Sequence, residues 1–330
     1  MTVLLCKKKA NCRLVNSIPK EVTILDEANL TFLPKSIKNP VEVENERIAH
    51  IKDGVALTKF ICWLKKNVGK ITMTELSAGE KLYSFRAQQE NFIDNSFDPI
   101  ISYGIHAAIN HYSATPETDI AIEPGNFLLA DTGGHYYEGT TDTTRTIVMG
   151  SVNDEQKKYF TAVLRGMLNL GNAKFRYGCT GVNLDYLARG PLWEMGQDFN
   201  HGTGHGVGYL LNVHEGPNSF RWRIIQGDNA VLEEGMITSD EPGYYVENQY
   251  GIRHENLLVC KKAEKTSFGQ FMCFEHLTMV PFDLDAVVPE LMTVQERALL
   301  NNYHAQGYKK ISPYLEEEEK EWLKEATREI

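Results

Sequence analysis

The chain passes from helical to extended periodicity twice, and both extended blocks carry acidic residues at strand ends. Over residues 42–67 the apolar positions Ile48, Ile51, Val55, Phe60 and Leu64 recur at roughly helical spacing, and Gly69 ends the run. A second helix is predicted from Thr74, as its N-cap, to about Gln89. Residues 97–103, 107–112, 127–131 and 143–149 then read as short strands separated by Gly, Pro and Asn turns. The pattern repeats with an amphipathic helix over 153–176, capped by Asn153. A further helical stretch covers 183–195, which Gly190 and Pro191 should break or kink. Strands follow at 236–239, 257–261 and 271–280, and two Glu/Lys-rich helices, 294–304 and 314–325, close the chain. Two helix-then-strand blocks predict an α+β domain whose strands converge on one site. Residues 1–40, with two strand-like pieces and a turn before Pro34, are too few to make a domain alone.

Composition narrows the class of partner. The formal net charge of -10 disfavours a nucleic-acid partner and an anionic membrane surface. No apolar run is long enough to span a bilayer. The opening MTVLLCKKKANCRL puts its apolar stretch before its lysines, the reverse of a secretory signal. Six cysteines are scattered without a C-x-x-C pair, which reads as reduced thiols in a cytoplasmic protein.

Four segments carry the chemistry. In 128–146 (LLADTGGHYYEGTTDTTRT), Asp131 and Asp142 each flank a predicted strand, and a short connection would bring them together; alone, aspartates at strand ends also serve turns. In 201–217 (HGTGHGVGYLLNVHEGP), His201, His205 and His214 stand among glycines that let backbone approach a bound group. Glu241 ends a strand-like run in SDEPGYY, and Glu255 interrupts an apolar strand in YGIRHENLLV. A buried carboxylate needs a partner or a metal, and Arg253 offers the first alternative for Glu255. Four converging carboxylates would repel and raise one another's pKa values, whereas two divalent cations would neutralise them, with His205 adding one nitrogen. An oxygen-rich ligand set suits Mn²⁺ first, with Co²⁺, Zn²⁺ or Fe²⁺ as alternatives. The chain lacks H-E-x-x-H and G-x-S-x-G, so neither the usual zinc-helix nor the serine-elbow plan is supported.

In order and spacing these segments resemble aminopeptidase P (Xaa-Pro aminopeptidase), of the dimetal "pita-bread" family that includes prolidase, methionine aminopeptidase and creatinase. The resemblance runs from about Lys35 to the C-terminus and is closer to the long eukaryotic-cytosolic type. It implies a pseudo-symmetric curved antiparallel sheet flanked by helices over residues 41–330, with a C-terminal helical extension. Residues 1–40 would then be the remnant of a preceding domain.

The resemblance also implies a division of labour. Asp131, Asp142, His205, Glu241 and Glu255 would be ligands of two metal ions, Asp142 and Glu255 bridging both. Glu241 would relay the proton of a metal-bridging hydroxide. His111, His201 and His214 would serve catalysis and substrate binding, Tyr245 would join them at the substrate, and Arg253 would orient Glu255. Tyr209, Tyr244 and Tyr245 are candidate pocket walls, though a tyrosine in such a place is more often simply core or packing. The activity implied is release of the N-terminal residue from peptides with proline second, by a homodimer. A prolidase or an inactive binding module of the same fold are the alternatives. His254 departs from the family, which more usually has an aliphatic residue there.

Overall fold

The computed structural model describes residues 1–225 and 227–330. At its start, β1 (Thr2–Leu4), α1 (Cys12–Asn16), β2 (Thr23–Leu25) and α2 (Phe32–Ser36) form a small β-α-β unit in which β1 and β2 pair in parallel. The turn expected before Pro34 falls at Leu30 and Thr31, closed by the Phe32 N–H donating to the Asn29 carbonyl at 3.0 Å, and leads into α2 with Pro34 inside its first turn, where no backbone N–H is needed for the helix.

The first large block opens with α3 (Pro40–Asn67) and α4 (Glu75–Arg86). Asn39 and Thr74 cap them, each in a reciprocal capping box that satisfies first-turn N–H groups. Then come β3 (Phe92–Asn95), β4 (Ile100–Tyr103), β5 (Asn126–Thr132), β6 (Gly134–Tyr136), β7 (Gly139–Thr140) and β8 (Thr143–Met149). The antiparallel sheet β4-β5-β8 sets Asp131 opposite Thr144, and its Leu128 and Ile147 pack against Leu57, Phe60 and Leu64 of α3. Of the expected apolar face of α3, Val55, Phe60 and Leu64 are buried but Ile48 is exposed.

Residues 107–112, expected as a strand, are not one. The chain makes a 3-10 turn at Gly104–Ala108 and folds back, the Tyr112 hydroxyl bonding to Thr118. Glycine at 251 lets a neighbouring strand press against the Ala107 carbonyl, where a Cβ would stand 1.7 Å from the oxygen.

The second block repeats the plan with α5 (Asp154–Gly171), β9 (Lys174–Arg176) and α6 (Tyr186–Trp193). Asn153 caps α5 as expected, but the helix stops five residues early because 174–176 pair as an edge strand with 271–273. Helix α6 runs through Gly190 and Pro191 without breaking. A proline this late in an eight-residue helix forfeits only one backbone bond, and α6 is pressed onto α5 at Gly166, where a Cβ would sit 2.1 Å from the Ala188 oxygen.

Short strands β10 (Gly204–His205) and β11 (Ser219–Phe220) pair with each other. Next come β12 (Ile237–Asp240), the hairpin of β13 (Gly243–Val246) and β14 (Tyr250–Arg253), β15 (Asn256–Thr266) and β16 (Gly269–His276). The sheet order β12-β15-β16-β9 is antiparallel throughout. Two antiparallel sheets, each backed by a helix pair, give the expected two-block pita-bread plan. Helices α7 (Val294–Ile311) and α8 (Glu317–Ala326) close the chain, α7 packing on the core around Phe160 and α8 reaching α3 through Leu323. Among the described residues no helix is long and apolar enough to cross a membrane.

Candidate metal centre

The antiparallel pairing of β5 and β8 brings Asp131, at the end of one strand, beside Asp142, just before the other. Glu255 sits at the break between β14 and β15, its N–H donating to the Thr144 carbonyl at 3.1 Å. From the second sheet, Glu241 follows β12 and His205 lies on β10, whose backbone N–H donates to Ser239 Oγ at 2.9 Å. Gly204 is required at this crossing: a Cβ there would lie 1.8 Å from the Ser239 oxygen. The two sheets thus supply the five expected residues to one cleft of about 570 Å³.

His205 Nε2 lies 3.4 Å from Asp142 Oδ2 and 3.4 Å from Glu241 Oε1. Ligand atoms of Asp142, His205 and Glu255 all lie within 4.8 Å of one another. Its Nδ1–H donates to the Gly206 carbonyl at 3.0 Å, which leaves Nε2 directed at the carboxylates. Burial pushes the Asp142 carboxyl up to about 7, with Asp131 and Glu241 adding repulsion against the hydrogen bond from His205. Burial, then Asp142, Glu241 and Asp131, hold Glu255 well above the carboxylate range. Glu241 is raised by burial as well, against the charges of His205 and Arg253. The His205 imidazole, though burial lowers it, is carried up to about 9 by Asp142 and Glu241.

A divalent pair fits this set on two observations. The buried oxygens Asp131 Oδ1 and Asp142 Oδ1 have no protein partner among the described residues. The oxygen-rich donor set with one imidazole also has the hard character that such cations prefer.

The three remaining histidines divide. His111 and His214 are exposed and line the cleft, His214 standing edge-on to His205 at 4.3 Å between ring centres. His201 also lines the cleft, but both its nitrogens are engaged: Nδ1–H donates to the Gly202 carbonyl at 2.8 Å and Nε2 accepts the Tyr245 hydroxyl at 3.0 Å. Burial, reinforced by Arg253, pushes its imidazole down to about 3.

Arg253 reaches a different carboxylate from the one expected. Its Nη2 lies 2.5 Å from Asp131 Oδ2 and its Nη1 donates to Tyr245 at 2.7 Å. It meets Glu255 only through Thr144, whose Oγ1 accepts Arg253 Nε at 3.3 Å and donates to Glu255 Oε2 at 2.7 Å. Tyr244 stacks on Tyr159 at 4.0 Å inside the core, Tyr209 is bonded by Asn45, and the Tyr245 hydroxyl is taken up by His201 and Arg253, so none of the three expected tyrosines is among the residues lining the cleft. His254 is buried edge-on to Phe160 at 4.3 Å and Phe282 at 5.5 Å, and burial drives its pKa well below 6.5; it packs as a neutral aromatic ring.

Sequence reasoning missed Thr144, Ser239 and Arg145. Ser239 Oγ donates to Glu241 Oε1 at 3.0 Å, and the fully buried Arg145 donates to the Glu255 carbonyl at 2.6 Å. The dense Thr run around Asp142 was the one available signal for Thr144.

The chain is 43% identical over 303 residues to a probable Xaa-Pro aminopeptidase P of Paracoccidioides brasiliensis, covering 90% of this chain and 49% of that one. It is 38% identical over 341 residues to aminopeptidase P1 of Arabidopsis thaliana, at 96% and 53% coverage. The chain therefore spans about half the length of the curated relatives it matches. An X-prolyl aminopeptidase structure from Caenorhabditis elegans, described as a cytosolic enzyme with a di-nuclear active site, superimposes with a TM-score of 0.88 at 36% identity, over 95% of this chain and 51% of that one. Prolidase from Pyrococcus furiosus gives 0.65 at 26% identity, over 84% and 75%. Residues 270–330 match the C-terminal region of peptidase M24. Residues 44–262 match the main domain, and the chain belongs to metallopeptidase family M24.

Proposed function

We propose that this chain is the catalytic part of a metal-dependent Xaa-Pro aminopeptidase, which releases the N-terminal residue of peptides whose second residue is proline. The observation that carries the reading is the set of four carboxylates and one imidazole meeting in a cleft whose exposed polar walls include His111 and His214. Asp131, Asp142, His205, Glu241 and Glu255 would hold two divalent cations, Mn²⁺ first among them. When bound, such a pair supplies an acidified water at neutral pH and polarises the scissile carbonyl.

The chain's own residues do the rest. Glu241, raised by burial, accepts a proton at a carboxylate oxygen and returns it to the departing proline nitrogen. His111 and His214 donate to the substrate carbonyl oxygen as negative charge develops there, each such donor contributing about 3 to 4 kcal/mol. His201 lines the cleft beside them with its Nε2 held by the Tyr245 hydroxyl, and Arg253 fixes Asp131 and Tyr245 together. Proline's tertiary amide has no N–H to satisfy and its ring fixes φ, so a pocket shaped to the ring selects it where general peptidases fit it poorly.

A homodimer in the cytoplasm is part of this reading; the cytoplasmic part is supported by the free thiols and by the description of the Caenorhabditis elegans enzyme as cytosolic. Residues 1–40 are read as a short unit ahead of the catalytic unit 41–330, supported by strands β1 and β2 pairing only with each other among the described residues. Stripping the protein with a chelator and restoring Mn²⁺ tests the site. Loss and recovery of peptide cleavage is the expected result, and cleavage indifferent to chelation would overturn it.

A further inference from the structure

His111 is exposed in the cleft, and its ring has no hydrogen-bond partner among the described residues. Its position is therefore set by the backbone of the loop that bears it, which leaves β4 after Tyr103 and returns near Ile120. Both arms of that loop end on the N-terminus of α4. On the returning arm, the Glu75 N–H donates to the Ile120 carbonyl at 3.2 Å, the Leu76 N–H donates to Asp119 Oδ1 at 3.0 Å, and Thr74 bridges Ala121.

On the outgoing arm the anchor is one carboxylate. Glu75, 1% exposed, accepts the Tyr103 N–H at 2.7 Å, the His106 Nδ1–H at 3.0 Å from both oxygens, and the Tyr112 hydroxyl at 3.3 Å. The His106 and Tyr112 rings stack at 4.1 Å, closing the loop on itself. Tyr112 is the immediate neighbour of His111 and is buried where His111 is exposed. Three donors converging from residues 103, 106 and 112 on one carboxylate, at the first position of a helix whose dipole favours negative charge, make a clamp rather than a surface contact.

We infer that Glu75 is the positioning residue for His111: its carboxylate gathers the loop so that the His111 ring is held over the reacting centre. The inference rests on the proposed reading of the cleft. Glu75→Gln keeps the volume but replaces an acceptor oxygen with an amide donor, so at least one of the three bonds fails. A displacement of about 1 Å in a catalytic group costs up to about 100-fold.

The test combines kinetics with amide exchange. Glu75→Gln should lower kcat/KM on a Xaa-Pro tripeptide by about 10- to 100-fold without changing metal content. In a His111→Ala background the same substitution should cost less than about twofold, because its effect passes through that ring. Hydrogen exchange should speed up over residues 103–118 and stay unchanged in β12 and β15. Equal losses in both backgrounds would make Glu75 a general structural residue and overturn the inference, as would full activity with unchanged exchange. Should Glu75→Gln fail to fold, Tyr112→Phe removes the hydroxyl that reaches both Glu75 and Thr118 inside the loop and must show the same coupling to His111 on a smaller scale. If the wild-type protein cleaves no Xaa-Pro peptide, the proposed function fails while the exchange arm still decides whether Glu75 holds the loop.

Discussion

Arg253 Nη2 lies 2.5 Å from Asp131 Oδ2 while Asp131 Oδ1 is buried with no partner among the described residues. One oxygen of the carboxylate is committed to a fixed cation, and the plane of the group is set with the other oxygen free for a ligand. Arg253 is itself 3% exposed, so the pair is desolvated on both sides. Replacing Arg253 with Met should lower Mn²⁺ affinity by about 10- to 100-fold and stability by about 3 to 5 kcal/mol, because a buried carboxylate loses its partner. Calorimetric metal titration and urea unfolding measure the two effects. Unchanged affinity would show that Arg253 does not orient Asp131 for binding.

Thr144 makes the corresponding bond to Glu255. Thr144→Val keeps the shape and removes the hydroxyl that donates to Glu255 Oε2 at 2.7 Å. Metal affinity and kcat/KM should each fall by about 10- to 100-fold. Stability should fall by about 1 to 3 kcal/mol, since an acceptor is left unsatisfied in a buried site. Activity within twofold of wild type would remove Thr144 from the account.

Acid should destabilise the fold well above the usual carboxylate range. Burial holds the imidazoles of His50 and His276 down to about 4 and that of His304 down to about 3, against an ordinary 6.5. Below pH 6.5 the unfolded chain takes up these protons and the folded chain does not. Their contribution is therefore complete above 6.5 and is lost as pH falls toward 4, by up to about 1.4 kcal/mol per pH unit for each histidine. His304→Gln keeps an acceptor for the Phe282 N–H, which His304 Nε2 accepts at 3.1 Å. In urea titrations it should lose less stability than wild type as pH falls from 6.5. Parallel curves would mean that His304 is not buried neutral.

The crossing of β10 over β12 has no room for a side chain. Gly204→Ala would set a Cβ 1.8 Å from the Ser239 oxygen, so His205 must move with its strand. The variant should bind less than the full complement of metal even where circular dichroism shows a folded protein. Full metal content would mean that the backbone there yields without moving His205.

Much of this site was legible because its residues are the ones a soluble core does not otherwise tolerate. Glu255 inside an apolar strand and three histidines among glycines announced themselves by cost. Helix starts were equally readable, since Asn153 and Thr74 carry side chains that cap only one way. What escaped depends on contacts between distant segments. The segment 107–112 has strand-like composition, yet its turn is imposed by Glu75 and by the close approach of Gly251. Arg253 stands two residues from Glu255 in sequence, but its long arm crosses to β5, and no local pattern encodes that reach. Thr144 and Arg145 act through hydrogen bonds to residues more than a hundred positions away in sequence, and Ser239 links Glu241 to the His205 backbone.

The most direct measurement is product analysis of Arg-Pro-Pro and Ala-Pro incubated with the Mn²⁺-loaded protein, beside a chelated control. The account predicts release of free arginine from the tripeptide, lost on chelation. Cleavage of the dipeptide alone would make the chain a prolidase, and cleavage of neither by protein that demonstrably holds metal would contradict the proposed activity.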